Sequence, residues 1–222
     1  MLNNSTLAFL KSLKKNNNKP WFDKNREEYD LAKADFEIFV TELLNKMTLF
    51  DQDLAGLETK KCIFRINRDI RFSKDKTPYK TFLSASFQKG DKKSINAGYY
   101  VQLQPGGNTF VAGGLWNPEA TELKKVRQEI DYCFPEFKNI INDSSFKKTF
   151  GELDRDKNQV LINIPKGYEK ENPAAEFLKL KSFVATKKIA DEELLLPSFS
   201  TKVSKDFKAL MPLIKFINRS FE

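Results

Sequence analysis

The side chains best suited to chemistry are concentrated in one short stretch, RINRDIRFSKDKTPYK, which runs from Arg65 to Lys80. Six basic side chains stand there against two acidic ones, a net of four positive charges and half of the chain's formal net charge of +8. Arginine suits phosphate and carboxylate groups, because its planar guanidinium donates two parallel hydrogen bonds. The stretch is therefore a candidate anion-binding site, with ligand contacts from Arg65, Arg68, Arg71, Lys74, Lys76, Tyr79 and Lys80.

Three further residues extend this candidate site. Asp69 lies between the arginines, where it could orient their guanidinium groups or act as a general base, so it is the candidate catalytic residue. Trp21 and Trp116 are candidate walls of the pocket, although a tryptophan at the start of a helix more often packs as a hydrophobic staple. The pair Gly113-Gly114 could admit a phosphate to backbone N–H groups, but close packing is the commoner reason for such glycines.

Apolar spacing predicts the helices that accompany this site. A short amphipathic helix is predicted near the N-terminus, and a long helix follows with Asp23 as its N-cap and one buried face. Asn117 and Pro118 predict the N-cap and first residue of a further helix, which Pro135 ends or kinks. A short helix over 173–180 and an amphipathic closing helix complete the set. The apolar side of the closing helix comprises Phe207, Leu210, Leu213 and Phe216.

Alternating side chains predict the strands. Residues 60–72 alternate with period two, and further strands are predicted over 81–87, 160–165 and 182–186. A hairpin is predicted over 96–116, with its turn at 105–108. The order is helices, an antiparallel meander and then mostly helices. We therefore predict an α+β fold, with an antiparallel sheet of about four or more strands packed with several helices, in a single domain over 1–222.

Arg68 does not fit the alternation of its own predicted strand. It shares a face with Phe64, Ile66, Ile70 and Phe72, and a guanidinium on an apolar face is costly unless it is paired. Either the strand bulges or ends near Arg68, or the side chain is buried deliberately. In the second case it is held by a carboxylate or aimed into a pocket.

Composition excludes several classes of site. The chain has no histidine, so a Ser-His-Asp triad, a Cys-His dyad and a His-ligated metal centre are all excluded within it. The two cysteines, Cys62 and Cys133, are far apart and form no CxxC pair, which gives little support to a zinc or redox site; we expect buried free thiols. No segment approaches the length of a membrane span, and we expect a cytoplasmic protein without membrane contact.

The pattern Arg65-x-x-Arg68-Asp69-x-Arg71-Phe72 is followed by Asp75-Lys76-x-x-Tyr79. Together they resemble the signature of a bacterial family known as domain of unknown function 2461 (DUF2461). The segments PWFDKNREEY, YYVQLQPGG, GGLWNP and LKLKSF extend the resemblance to essentially the whole chain. It implies an uncharacterised protein and brings no reaction with it. It also implies that relatives often have histidine where this chain has Asn172, so a mechanism that used this histidine would not be available here.

Three functions fit the basic stretch, and we rank them in this order. The first is a pocket for a phosphorylated or carboxylated small molecule, in an enzyme or a binding protein. The second is a non-catalytic adaptor, in which the arginines form an internal salt-bridge network. The third is nucleic-acid binding, supported by the net charge of +8 but by no helix-turn-helix, zinc-finger or RNA-recognition signature. The sequence indicates no particular cofactor, metal or oligomeric state.

Overall fold

A computed structural model describes residues 2–90, 92 and 94–222 of the chain. Within those residues, nine α-helices and a four-stranded antiparallel sheet confirm the predicted α+β class. The strands are β1 (Leu83–Gln88), β2 (Gly98–Leu103), β3 (Thr109–Leu115) and β4 (Phe183–Ile189), and they pair in the order β1-β2-β3-β4. The helices are α1 (Asn4–Lys15), α2 (Lys19–Lys24), α3 (Arg26–Met47), α4 (Thr59–Cys62), α5 (Ala120–Tyr132), α6 (Phe134–Asn142), α7 (Ser144–Phe150), α8 (Ala175–Leu178) and α9 (Phe199–Arg219).

The residues cluster into two compact units. Unit one comprises Met1–Phe87, Tyr100–Val111 and Lys188–Lys205, and unit two comprises Gln88–Tyr99, Ala112–Lys187 and Asp206–Glu222. The prediction of a single domain over 1–222 stays a prediction.

No helix in the described part of the chain is both long and apolar enough to cross a membrane.

In unit one, α1 packs against α3. Leu7, Leu10 and Leu13 are all buried, and the helix follows the predicted amphipathic spacing. The carboxylate of Asp35 in α3 holds the N-terminus of α1. It accepts hydrogen bonds from the backbone N–H of Asn3 at 2.9 Å and from the hydroxyl of Thr6 at 2.6 Å. This polar contact fixes where α1 begins, while the leucines supply the apolar surface.

In unit two, the apolar face of α9 is buried as predicted. Phe207, Leu210 and Leu213 are fully buried, which agrees with their helical spacing. Gly114 in β3 lies against the backbone of β4: its φ is +127°, and an added Cβ would lie 1.9 Å from the carbonyl oxygen of Phe183. Close packing therefore explains the glycine.

Several predicted boundaries are wrong for local reasons. The long helix α3 has Asn25 as its N-cap, and the predicted cap, Asp23, lies inside α2 and pairs with Lys19. The N-cap of α2 is Asn18, whose side chain accepts from the backbone N–H of Trp21. α5 begins at Ala120 after Glu119, because the predicted cap, Asn117, has a φ of +47° that leads away from a helix.

The strand predicted over 160–165 is absent from the described structure. Val160 makes only an isolated bridge to Leu180, and Ile162 is 92% exposed. An apolar run had suggested a buried strand, but this one has no partner strand to pack with. Residues 161–165 lie outside any bridge.

Candidate anion-binding site

The segment Arg65–Lys80, called the basic loop from here on, is an irregular hairpin in unit one. The N–H of Arg68 donates to the carbonyl of Pro78 at 2.9 Å, and that of Lys80 donates to Ile66 at 2.8 Å. Asn67 and Tyr79 form an isolated antiparallel bridge. The predicted regular strand over 60–72 is therefore wrong. Pro78 has no N–H to donate, so the ladder cannot continue into the tip of the loop.

Tyr79 anchors the basic loop to the N-terminal helices. Its ring is buried and stacks on Phe22, with ring centroids 3.9 Å apart and planes 15° apart. Asn17 donates from its side-chain amide to the Tyr79 carbonyl at 2.8 Å and accepts from the Tyr79 N–H at 3.1 Å. The geometry favours an anchoring role for Tyr79 over the predicted ligand contact, because so little of the residue is exposed.

Arg68 turns back into the basic loop. One guanidinium nitrogen donates to the carboxylate of Asp75 at 2.6 Å, to the Thr77 carbonyl at 3.0 Å and to the Thr77 hydroxyl. The other nitrogen lies 3.4 Å from the hydroxyl of Ser73. The hydrogen bond from the Thr77 N–H, followed by those from Arg68 and the Thr77 hydroxyl, holds the pKa of Asp75 below its usual range. Arg68 thus closes the tip of the loop on itself.

Arg71 is paired with Asp69. Its Nε and Nη2 donate to the two carboxylate oxygens at 3.0 and 2.6 Å, in the two-pronged geometry that arginine favours. This contact holds the pKa of Asp69 below, and the pKa of Arg71 above, their usual ranges. A carboxylate with a lowered pKa is a weaker base, so the pairing does not favour the predicted catalytic role of Asp69. The Arg71 guanidinium also lies 5.7 Å from the ring centroid of Phe72, which is 95% exposed.

The remaining cations of the loop differ from these two arginines. Arg65 and Lys74 are exposed, and neither side chain makes a hydrogen bond or ion pair within the described part of the chain. The Lys76 ammonium donates to the carbonyl of Ile70 at 3.0 Å, and the Lys80 ammonium donates to that of Arg65 at 3.0 Å. A carbonyl carries no net charge, so the charge of Lys76 is solvated without being neutralised. Each of the two acids of the loop is paired with an arginine, and Lys74 and Lys76 make no ion pair within the described residues.

Comparison with known proteins identifies the family. The model described as "Conserved hypothetical protein (DUF2461)" matches residues 5–216, which is nearly the whole chain. The chain belongs to the DUF2461 family. No curated protein and no solved structure matches it. The family assignment agrees with the resemblance seen in the sequence and supplies no reaction or ligand for this DUF2461 chain.

The two tryptophans are the remaining predicted site residues of the DUF2461 chain. Trp21, in α2, packs against Phe9 of α1 with ring centroids 6.1 Å apart, which favours a packing role over a pocket wall, although the contact joins two helices and is not a hydrophobic staple. Trp116 lies in unit two, just after β3, and is 68% exposed.

Among the described residues, no group of three or more histidine, cysteine, aspartate or glutamate side chains is placed to hold a metal ion.

A second polar cluster, in unit two, was missed from the sequence. Arg127 donates to the carbonyl of Leu180 at 3.0 Å, while its buried Nε has no hydrogen-bond partner among the described residues. Burial lowers the pKa of Arg127, and the nearby Tyr168 opposes this shift. Asn172 donates to Asp131 at 2.6 Å. The spacing of Arg127 and Asp131 on one helix face was the available signal, but the same i, i+4 spacing is common on solvated helices.

Proposed function

We propose that this DUF2461 protein binds an anionic ligand, a phosphorylated or carboxylated molecule, at the basic loop. The observation that carries the proposal is how the loop distributes its charges. Asp75 and Asp69 pair with Arg68 and Arg71, so the positive charge that remains lies on the other cations of the loop. Arg65, Lys74 and Lys76 make no ion pair within the described residues, and each is exposed.

The two ion pairs also preorganise the binding groups. Arg68 fixes the tip of the loop through Asp75 and Thr77, and Tyr79 fixes its base. A loop held in this way loses less conformational entropy when a ligand binds than a free loop would. In this proposal the ligand contacts come from Arg65, Lys74 and Lys76, while Arg68 is a positioning residue.

A non-catalytic structural role is the second candidate. It is favoured by one specific observation: both acids of the basic loop are already neutralised by arginines of the same loop. If that network were the whole purpose of the loop, the exposed cations would be dispensable and no anion would be recognised.

A thermal-shift experiment separates the two candidates. Phosphate, pyrophosphate and citrate are added at matched ionic strength with chloride as the reference. A ligand at about ten times its Kd stabilises by about 1.4 kcal/mol, which raises the Tm of a chain of this size by about 3–6 °C. We expect such a shift for at least one of the three anions.

The loop variant Arg65→Gln/Lys74→Gln/Lys76→Gln should lose this shift. The matched control is Lys124→Gln/Lys125→Gln/Lys138→Gln, which removes the same charge from exposed positions of α5 and α6. The control should respond to the anion as the unmodified protein does. Equal shifts in the loop variant and the unmodified protein, or no shift beyond that of chloride, would refute the proposal.

A further inference from the structure

We infer that the anion bound by the basic loop is a single-stranded nucleic acid, whose phosphates contact Arg65, Lys74 and Lys76 while one base stacks on Phe72. This inference rests on the proposed function and adds the class of ligand. The exposed ring of Phe72 favours this class of ligand, because a small phosphate or carboxylate has no flat surface to stack on it.

Phe72 is presented to solvent by the structure of the loop around it. Alternation predicted it on a buried face, yet it is 95% exposed. The guanidinium of its neighbour Arg71 lies over the ring at 5.7 Å, and Arg71 is itself held by both oxygens of Asp69. An isolated exposed aromatic needs no explanation, but this one has a fixed cation beside it and uncompensated cations within four residues. Aromatic rings and guanidinium planes are the two surfaces on which unpaired bases stack.

The surrounding charges fit a phosphate backbone. Lys74 and Lys76 follow Phe72 at two and four residues along the chain, and both are exposed. Proteins that bind single strands without sequence preference combine such a basic surface with an aromatic platform. A duplex keeps the faces of its bases stacked, and the basic loop contains no helix that could enter a major groove. The geometry therefore favours a single strand over a duplex.

The test is fluorescence anisotropy with the full chain and four probes of known composition. These are a labelled fifteen-nucleotide oligothymidylate, an abasic phosphodiester strand of the same length, the oligothymidylate annealed to its complement, and vesicles containing phosphatidylserine. We expect the oligothymidylate to bind about tenfold more tightly than the abasic strand, because stacking contributes at this level for each base. With three phosphate contacts, log K should fall with log salt at a slope of about −2.

Variants of Phe72 isolate the stacking contact. Phe72→Ala should weaken binding of the oligothymidylate about tenfold and leave binding of the abasic strand unchanged. Phe72→Trp keeps an aromatic ring at this position and should bind the oligothymidylate as the unmodified protein does. Ile162→Ala is the matched control, since it removes another apolar side chain that is 92% exposed and should have no effect. Because Phe72 is 95% exposed, its replacement should leave the Tm unchanged, so a loss of binding cannot be attributed to unfolding.

The outcomes also separate this inference from the proposed function. Equal affinity for the oligothymidylate and the abasic strand, insensitive to Phe72→Ala, would overturn the stacking role while leaving anion binding intact. Tighter binding of the duplex, or binding to phosphatidylserine vesicles that depends on Phe72, would replace the single strand with another partner. Absence of binding by every probe at low salt, together with no thermal shift from pyrophosphate, would remove both proposals.

Discussion

Replacing Arg68 by alanine should destabilise the basic loop moderately and leave the rest of the protein folded. Arg68 donates to the Thr77 carbonyl and hydroxyl, to Asp75 and, at a longer distance, to Ser73. Its side chain is 25% exposed and that of Asp75 is 60% exposed, so the ion pair is screened by solvent and contributes little. The hydrogen bonds to Thr77 contribute about 1 kcal/mol each. The expected loss is therefore about 1–2 kcal/mol.

This value is below the loss expected if the partner of Arg68 were buried. Removing one member of a fully buried ion pair costs about 3–5 kcal/mol, because the other charge is left without water or a partner. Here Asp75 can be hydrated when Arg68 is removed. The magnitude of the loss therefore reports on the burial of the network as well as on its existence.

Urea denaturation and amide hydrogen exchange measure the two parts of this prediction. The Thr77 N–H, which donates to Asp75 at 2.9 Å, should exchange faster in Arg68→Ala because the loop opens locally. Arg65→Ala is the matched control: its exposed side chain makes no hydrogen bond within the described residues, so stability should change by less than about 0.5 kcal/mol. A loss above about 3 kcal/mol for Arg68→Ala, or unchanged exchange at Thr77, would refute the reasoning.

Three further predictions concern single positions. The pKa of Asp75 is lowered in the folded protein, so its contacts stabilise the fold above its unfolded pKa of about 4 and are lost as pH falls through the lower folded value. In NMR spectra, the chemical shift of the Thr77 amide proton should therefore titrate with a midpoint below about 4, and a midpoint above that pH would contradict the pairing. Gly114→Ala should lower the free energy of unfolding, measured by urea denaturation, by more than about 3 kcal/mol, because the new Cβ meets strand backbone. The control Gly107→Ala also has a positive φ, +72°, but its Cβ enters open space, so the loss should be about 1 kcal/mol. Equal losses in the two variants would show that the strand contact is relieved. Partial burial and, to a lesser extent, the nearby Glu129 carboxylate raise the pKa of the Cys133 thiol. The rate of its alkylation by iodoacetamide, measured by mass spectrometry, should therefore still increase with pH above about 8.5, and a plateau below that pH would contradict the shift.

Elements that bury a periodic apolar face were predictable from the sequence, and elements defined by a few polar contacts were not. Leu7, Leu10 and Leu13 predicted α1 because helical spacing reports directly which side is buried. The predicted N-caps were wrong because an N-cap depends on the backbone angles of a single residue, which the sequence does not show. Asn117 has a suitable side chain for an N-cap but a φ of +47°.

The buried thiols were predicted only in part. Cys62 is buried, as expected from its apolar neighbours, whereas Cys133 is partly exposed. Cys133 lies at the boundary between α5 and α6, where one helix ends and the other begins. The sequence located a helix break near Pro135 but could not show how much of the preceding thiol the break leaves accessible.

At the candidate site, the sequence supplied the residue types but could not assign the ion pairs. Asp69 is next to Arg68 in the sequence, yet it pairs with Arg71, and Arg68 pairs with Asp75 seven residues away. Alternation along a strand would have placed Phe72 inside and Arg71 outside. The backbone ladder ends at Pro78, so the alternation of a regular strand does not extend to Phe72, which lies exposed.

This pairing changes what the net charge of the basic loop means. A surface with four excess positive charges and no internal acids would be a diffuse electrostatic patch, able to attract anions without orienting them. In the basic loop, each acid neutralises one arginine and fixes a turn of the backbone. The residues that hold the loop rigid are therefore different from the residues whose positive charge attracts an anion. Arg68 and Arg71 determine the shape, and Arg65, Lys74 and Lys76 retain their charge. Removing a shaping arginine should therefore weaken anion binding through loss of preorganisation, whereas removing an exposed cation should weaken it without altering the loop.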